Sequence, residues 1–327
     1  MVKTYLILVF VMVTWGFNVI AIKVLVSGVS PILITSLRLF VASLAIMLIL
    51  KSMKRQKTHD QIPWKYVILA CLFSVVIHHL SLSIGIQRTT AVNSAIIIGL
   101  GPLIAALFSI IFQISPITKL KFCGFLLGTV GVVMAVLNKG SLASIQSGDV
   151  WVFVAILAQI IGIFIINKIT SQMDPLHLTA IILTIGSVIL FCISMIFEKG
   201  AIYQLTQINM HLFWVFIYSS LIPTALGQSI YNVTINKVGP AETAIFINVN
   251  TIFALIGAAI FMKETIMPLQ IIGCILIIIG VIVGTSGLDL TRIRKWIKDR
   301  KGERKVQKIT IADNYEKEMI EDKCRKL

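Results

Sequence analysis

Acidic residues are scarce: 14 of 327 residues are Asp or Glu, and charges of both signs together make up only 13% of the chain. Soluble domains carry about 25% charged residues, so this chain cannot cover a water-facing surface in the ordinary way. The five cysteines show no metal-ligand or disulfide spacing: Cys71, Cys123, Cys192 and Cys274 fall in apolar runs and Cys324 near the C-terminus. Neither a disulfide framework nor a metal site is expected. The chain also lacks an HExxH pair, a phosphate-cradling glycine loop, a buried Ser/His/Asp set and paired carboxylates within an apolar run. Their absence excludes the common hydrolytic and ATP-driven chemistries. No catalytic residue, cofactor or direct use of ATP is expected.

What is present is apolar. Hydrophobic residues make up 57% of the chain and mean hydropathy is +0.95. A hydrocarbon core roughly 30 Å thick needs about 20 residues of apolar helix. Ten runs of that kind are predicted, near 4–26, 31–50, 66–86, 91–112, 119–137, 150–168, 176–196, 211–235, 241–261 and 268–286. Open sheets cannot satisfy their backbone in lipid and the runs are too long for barrel strands, so the expected class is all-α and polytopic. The first run resembles a signal peptide in carrying Lys3 ahead of an apolar stretch. Its length and the polar Trp15, Asn18 and Lys23 within it point instead to a retained helix.

The chain contains one unit twice. Shifted by 149 positions, residues 78–136 overlie 227–285 without a gap, pairing Gly124 with Gly273, Gly131 with Gly280 and Arg88 with Lys237. The expected units are 1–140 and 141–286, each of five helices, followed by a basic tail at 287–327. An odd helix count means that the second copy enters the membrane upside down, an arrangement of transporters. Basic residues set the orientation. With the N-terminus in the cytoplasm, the inner loops hold Lys51, Lys54, Arg55, Lys57, Lys65, Lys119, Lys121, Lys168 and Lys237. The outer loops then hold Arg88, Lys139, Lys199 and Lys263. Both termini are therefore expected inside a cytoplasmic membrane. The net charge of +15 follows from these loops and the tail, and implies a lipid surface rather than nucleic acid as its partner. The tail beyond Gly302 lacks apolar periodicity and is expected to be disordered.

Polar residues inside apolar runs mark the candidate site. Thr14 and Asn18 share a face of the first helix, next to Trp15. Arg38 lies about seven residues into the second, ~10 Å at 1.5 Å per residue. A guanidinium at that depth costs ~2.5–3.5 kcal/mol even on lenient scales, so it should face protein, as a structural post or as an anchor for a carboxylate or phosphate. The third helix carries His78 and His79, and the repeat sets His79 against Gln228, near Tyr231 and Asn232. The histidines read as interhelical hydrogen-bonding groups or as titrating ones, with His79 the better candidate for proton coupling. The fourth helix is interrupted by Gly99-Leu100-Gly101-Pro102, whose counterpart is Asn248-Val249-Asn250-Thr251. Interrupted helices in corresponding halves point to a midplane site, expected between helices 1, 3, 4, 6, 8 and 9. Aligning Pro31 with Pro175 sets Gln159 of helix 6 opposite Trp15. The substrate-contacting candidates are thus Trp15, Asn18, Arg38, His79, Gln159, Gln228, Tyr231, Asn248 and Asn250. Gly124 and Gly128 form one small-residue face and Gly280 and Gly284 another. Packing within a monomer is favoured over a homodimer contact.

Trp15-Gly16-x-Asn18, Lys23, Pro31 and Leu37-Arg38 resemble the opening of the EamA family of the drug/metabolite transporter superfamily. In the second copy, Lys263-Glu264, then Gln270-x-x-Gly273 and Gly280, are similar to that family's pattern near its last two helices. Two departures stand out. Lys263 replaces the usual glycine, and Ser115 stands in the first copy where Glu264 stands in the second. The resemblance, over residues 4–286, implies a secondary transporter exporting or exchanging amino acids or related small polar metabolites by alternating access. An alternative within transport is uptake of a nucleoside- or cofactor-like solute stacked on Trp15. From another class, a scaffold or membrane-embedded enzyme remains to be distinguished by solute flux.

Overall fold

Proline and acidic residues set where the helices begin. The computed structural model describes residues 2–53, 62–89, 94, 97–112, 118–136, 146–170, 172–262 and 266–284. Pro31 starts α2 (Pro31–Ser52), preceded by α1 (Val2–Gly28). The first-turn amides of Ile32 and Leu33, which have no partner within the helix, donate to the Glu198 carboxylate at 3.0 and 2.9 Å. A carboxylate there satisfies orphan donors and complements the helix dipole. α3 spans Trp64–Arg88, α4 Gly101–Ile111 and α5 Lys119–Val136. α6 (Ser147–Ile169) opens with a capping box between Gln146 and Asp149,. α7 (Pro175–Phe197) opens on Pro175, with Asp174 accepting from the amides of Leu176 and His177,. α8 spans Met210–Val238. Gly239, at φ +92°, makes the turn into α9, which runs in two pieces, Pro240–Ile245 and Ile247–Met262. α10 is Pro268–Gly284.

Among the described residues all regular structure is helical. Seven of these helices are long and apolar enough to cross a membrane, while 97–111 and α10 are shorter apolar helices. The expected count of ten crossings is therefore met by length in seven. Leu6, Phe10, Leu48, Ile68, Phe153, Ile196 and Ile282 face outward, while Asn18, Arg38, His78, Asn232 and Asn248 are buried. Water would reverse that distribution and lipid supports it. The described helices belong to a unit of residues 1–284. The predicted tail, the Lys263-Glu264 pair and the Glu242 side chain fall outside the described residues.

The internal repeat is visible in local geometry. α3 widens into a π-helical segment at Leu72–Ile77, and α8 does so at Ser220–Gly227. The 149-residue shift carries 72–77 onto 221–226, inside the second segment. Each widened stretch packs across the halves: α3 lies on α6 and α7, and α8 lies on α1 and α2. In α3 the bulge is seated on glycines, since a Cβ at Gly162 would come within 2.5 Å of the Ser74 Cβ, and Gly186 meets Val75. In α8 it contains Pro223, which has no N–H to donate,. The Thr224 hydroxyl instead donates to the Ser219 carbonyl at 2.7 Å. These π segments are a finding that helical periodicity did not predict.

α5 and α10 meet almost backbone to backbone. A Cβ at Gly124 would lie 2.6 Å from the Gly280 carbonyl oxygen, and one at Gly280 would lie 2.5 Å from the Gly128 nitrogen. Both glycine faces are thus engaged with each other inside the chain. The interruption predicted in helix 4 appears as a turn at Leu100. In helix 9 it falls at Phe246 rather than at 248–251, which are helical.

Candidate functional site

Helices α1, α2, α3, α6, α8 and α9, together with the stretch leading into α4, line a partly open cavity of about 90 Å³. The helices expected to surround the site are all represented, and α2 joins them through Arg38. Trp15 and Asn18 line it from α1, His78 and His79 from α3, and Gln159 from α6. Gln228 with Thr224 lines it from α8 and Asn250 from α9. Isoleucines 22, 86, 98, 156 and 247 supply most of the apolar wall.

Arg38 is held without being neutralised. It is only 3% exposed, and its Nη1–H donates to Thr224 Oγ1 at 2.9 Å. Because the Thr224 proton is directed at the Ser219 carbonyl, its oxygen is turned toward the guanidinium as an acceptor. The Ser219 hydroxyl in turn donates to Asn18 Oδ1 at 2.5 Å. This ties α1, α2 and α8 together through neutral groups. A guanidinium carries five donors, and among the described residues no carboxylate pairs with this one.

The remaining candidates divide by what they touch. His78 Nδ1–H donates to the Ala155 carbonyl of α6 at 2.9 Å, an interhelical link. The His79 ring lies 4.7 Å from that of His78 and lines the cavity with no hydrogen-bond partner among the described residues. Gln228 Nε2–H donates to Asn232 Oδ1 at 3.2 Å, and Asn232 donates to Thr179 of α7 at 2.9 Å. The Asn250 Oδ1 is buried and unpartnered among the described residues. Trp15 Nε1–H donates to the Pro223 carbonyl at 2.9 Å, and its ring packs on Tyr231 at 4.9 Å between centroids. Gly16 beside it lets α1 approach α9, since a Cβ there would lie 2.8 Å from the Asn250 carbonyl oxygen.

Two predicted residues point elsewhere. Tyr231 is fully buried behind Trp15 and does not reach the cavity. Asn248 is fully buried against Gly128 of α5. Both its side-chain atoms lack partners among the described residues. Lys23 is not a cavity charge either: its Nζ donates to the Ile86 carbonyl at 2.9 Å, capping the last turn of α3,. Sequence reasoning missed Pro223 and Thr224. The available signal was a proline inside an apolar run, aligned by the repeat with Ser74.

The profile of the EamA-like transporter family matches residues 2–137 and again 146–285. The chain belongs to that family. Its two matches fall on the two copies of the repeat. Among the relatives of this EamA-like protein is the uncharacterized transporter YyaM of Bacillus subtilis (strain 168), 25% identical over 64% of this chain and 69% of that one. An uncharacterized transporter of Archaeoglobus fulgidus is 25% identical over 86% of this chain and 98% of its own length. A WAT1-related chloroplastic protein, At3g02690 of Arabidopsis thaliana, is 24% identical over 82% and 66%. A solved crystal structure superposes with a TM-score of 0.72 at 14% identity, covering 86% of this chain and 96% of that one, a likeness of fold alone. The EamA-like chain is thus a multi-pass membrane protein with a membrane-transport role, and the bacterial and archaeal relatives are named as uncharacterized transporters.

Proposed function

We propose that the protein is a secondary transporter carrying small polar metabolites, amino acids and related compounds, outward across the cytoplasmic membrane by alternating access. The carrying observation is the polar cavity walled by both halves, with a buried guanidinium that has no carboxylate partner among the described residues. In a low-dielectric interior such a charge is costly unless paired, and a bound solute is the natural partner. The two halves rock about this site, so each exposes it in turn to one side. Arg38 grips the acidic group of the solute, while His79, Gln159, Gln228 and Asn250 supply neutral hydrogen bonds. Energy comes from the solute's own gradient, which a rocking cycle uses without a titrating residue. Both termini lie in the cytoplasm, as the basic loops require.

The glycine faces of α5 and α10 are consumed by each other, which supports a working monomer. Purified protein in proteoliposomes should show saturable flux of a small polar metabolite, lost in Arg38→Gln protein that folds normally. Empty and protein-containing vesicles that leak every tested solute equally would contradict the reading.

A further inference from the structure

The charge lining the cavity has one sign. Among the described lining residues Arg38 supplies the only permanent charge, and no Asp or Glu side chain is among them. Three described acids near these helices are engaged at helix ends. Glu198 accepts from the amides of Ile32 and Leu33 and from the Ser194 hydroxyl, Asp174 caps α7, and Asp149 bonds Thr89 and the Gln146 amide. The Thr224, Ser219 and Asn18 chain fixes the guanidinium through neutral oxygens. Thr224 uses one edge of the fork, and the other donors remain for a ligand. The same cavity has an aliphatic part of its wall, with Ile22, Leu82, Ile86 and Ile98.

We propose that the transported solute is a net monoanion: an organic monocarboxylate with an aliphatic body and no ammonium group. This rests on the transporter reading above and, among the small polar metabolites named there, replaces the zwitterionic amino acids with related monocarboxylates. A monoanion on Arg38 makes the occupied cavity neutral. A zwitterion leaves one uncompensated positive charge there, and a dianion such as a phosphate monoester leaves one negative charge. In a desolvated site that difference is much larger than in water. A substrate ammonium would meet neutral groups such as Trp15, His79, Gln159, Gln228 and Asn250, none of them a full negative charge among the described lining residues, while repelling the guanidinium. The planar fork suits a carboxylate held through two parallel bonds.

The test compares two probes of one carbon skeleton, 2-oxoisovalerate and valine, on the full-length chain. Binding is read by thermal stabilisation in detergent, and transport by counterflow in proteoliposomes. The wild type should bind the oxo acid about tenfold or more tightly than valine. That preference should fall toward unity in Arg38→Gln and survive, with weaker binding, in Arg38→Lys. The wild-type comparison decides the matter alone if Arg38→Gln fails to fold. Valine bound as tightly as the oxo acid would overturn the proposal, as would indifference to every aliphatic monocarboxylate tried. Preferred valine flux would refute the anion while leaving the transporter reading intact. Stabilisation by the oxo acid without flux would do the reverse.

Discussion

Arg38 of α2 and Thr224 of α8 are joined by a 2.9 Å hydrogen bond between helices from different copies of the repeat. The bond lands on the π-helical stretch of α8, beside Pro223. It links the one permanent charge of the cavity to the segment where that helix departs from regular geometry. Hydrogen bonds to charged groups contribute about 1.5–3 kcal/mol, so the pair is worth probing from both ends. Thr224→Val keeps the shape but removes the acceptor and the hydroxyl that satisfies the Ser219 carbonyl. It should lower the unfolding midpoint and weaken solute binding together. Unchanged binding would detach Thr224 from the site.

Arg38 itself gives the sharper contrast. Arg38→Leu should be poorly abundant or inactive, because the Thr224 oxygen loses its donor and the cavity loses its charge. Arg38→Lys should fold but bind solute at least about tenfold more weakly, since an ammonium cannot reproduce the planar fork. Abundant and fully active Arg38→Leu protein would contradict this.

Two glycines, chemically the same, should respond oppositely to alanine. A Cβ at Gly124 would sit 2.6 Å from the Gly280 carbonyl oxygen, whereas one at Gly101 would meet only Ile156 at 3.5 Å. Gly124→Ala should therefore destabilise by about 1–3 kcal/mol through overpacking, while Gly101→Ala should be close to neutral. Thermal unfolding of both variants in one detergent measures the difference.

The histidines should separate in the same way. His78→Leu removes the interhelical bond to the Ala155 carbonyl and should cost about 0.5–1.5 kcal/mol of stability,. His79→Gln should keep the fold and alter solute affinity, because that side chain faces the cavity. Flux in the wild type should follow the solute gradient and ignore an imposed pH gradient. Should flux instead track pH, coupling that survives the loss of both histidines would falsify the assignment of His79 as the titrating group.

Much of the architecture was legible because lipid makes polar residues conspicuous. Trp15, Asn18, Arg38, Gln159 and Gln228 stood out within apolar runs, and the cavity gathers them. Polarity marks burial but not direction, which is why Asn248 and Tyr231 looked equivalent to these and yet face Gly128 and Trp15. Lys23, also charged within an apolar run, is carried by its long stem to the Ile86 carbonyl,. Glu198 was passed over because the helix start that it caps lies far away in sequence, at Ile32 and Leu33. The π segments were hidden most deeply. The widening in α3 accompanies close contact with Gly162 and Gly186 of neighbouring helices, and only Pro223 hints at the one in α8.

Alternating access around the Arg38 cavity is tested most directly by one cysteine. In a chain with its native cysteines replaced by serine or alanine, Gln228→Cys sets a thiol in the cavity wall. A membrane-impermeant maleimide is then added in separate experiments to the inside and to the outside of oriented vesicles. The account predicts labelling from each side, slowed in both cases by a transported solute. Labelling from one side alone, at a rate that no solute changes, would contradict it.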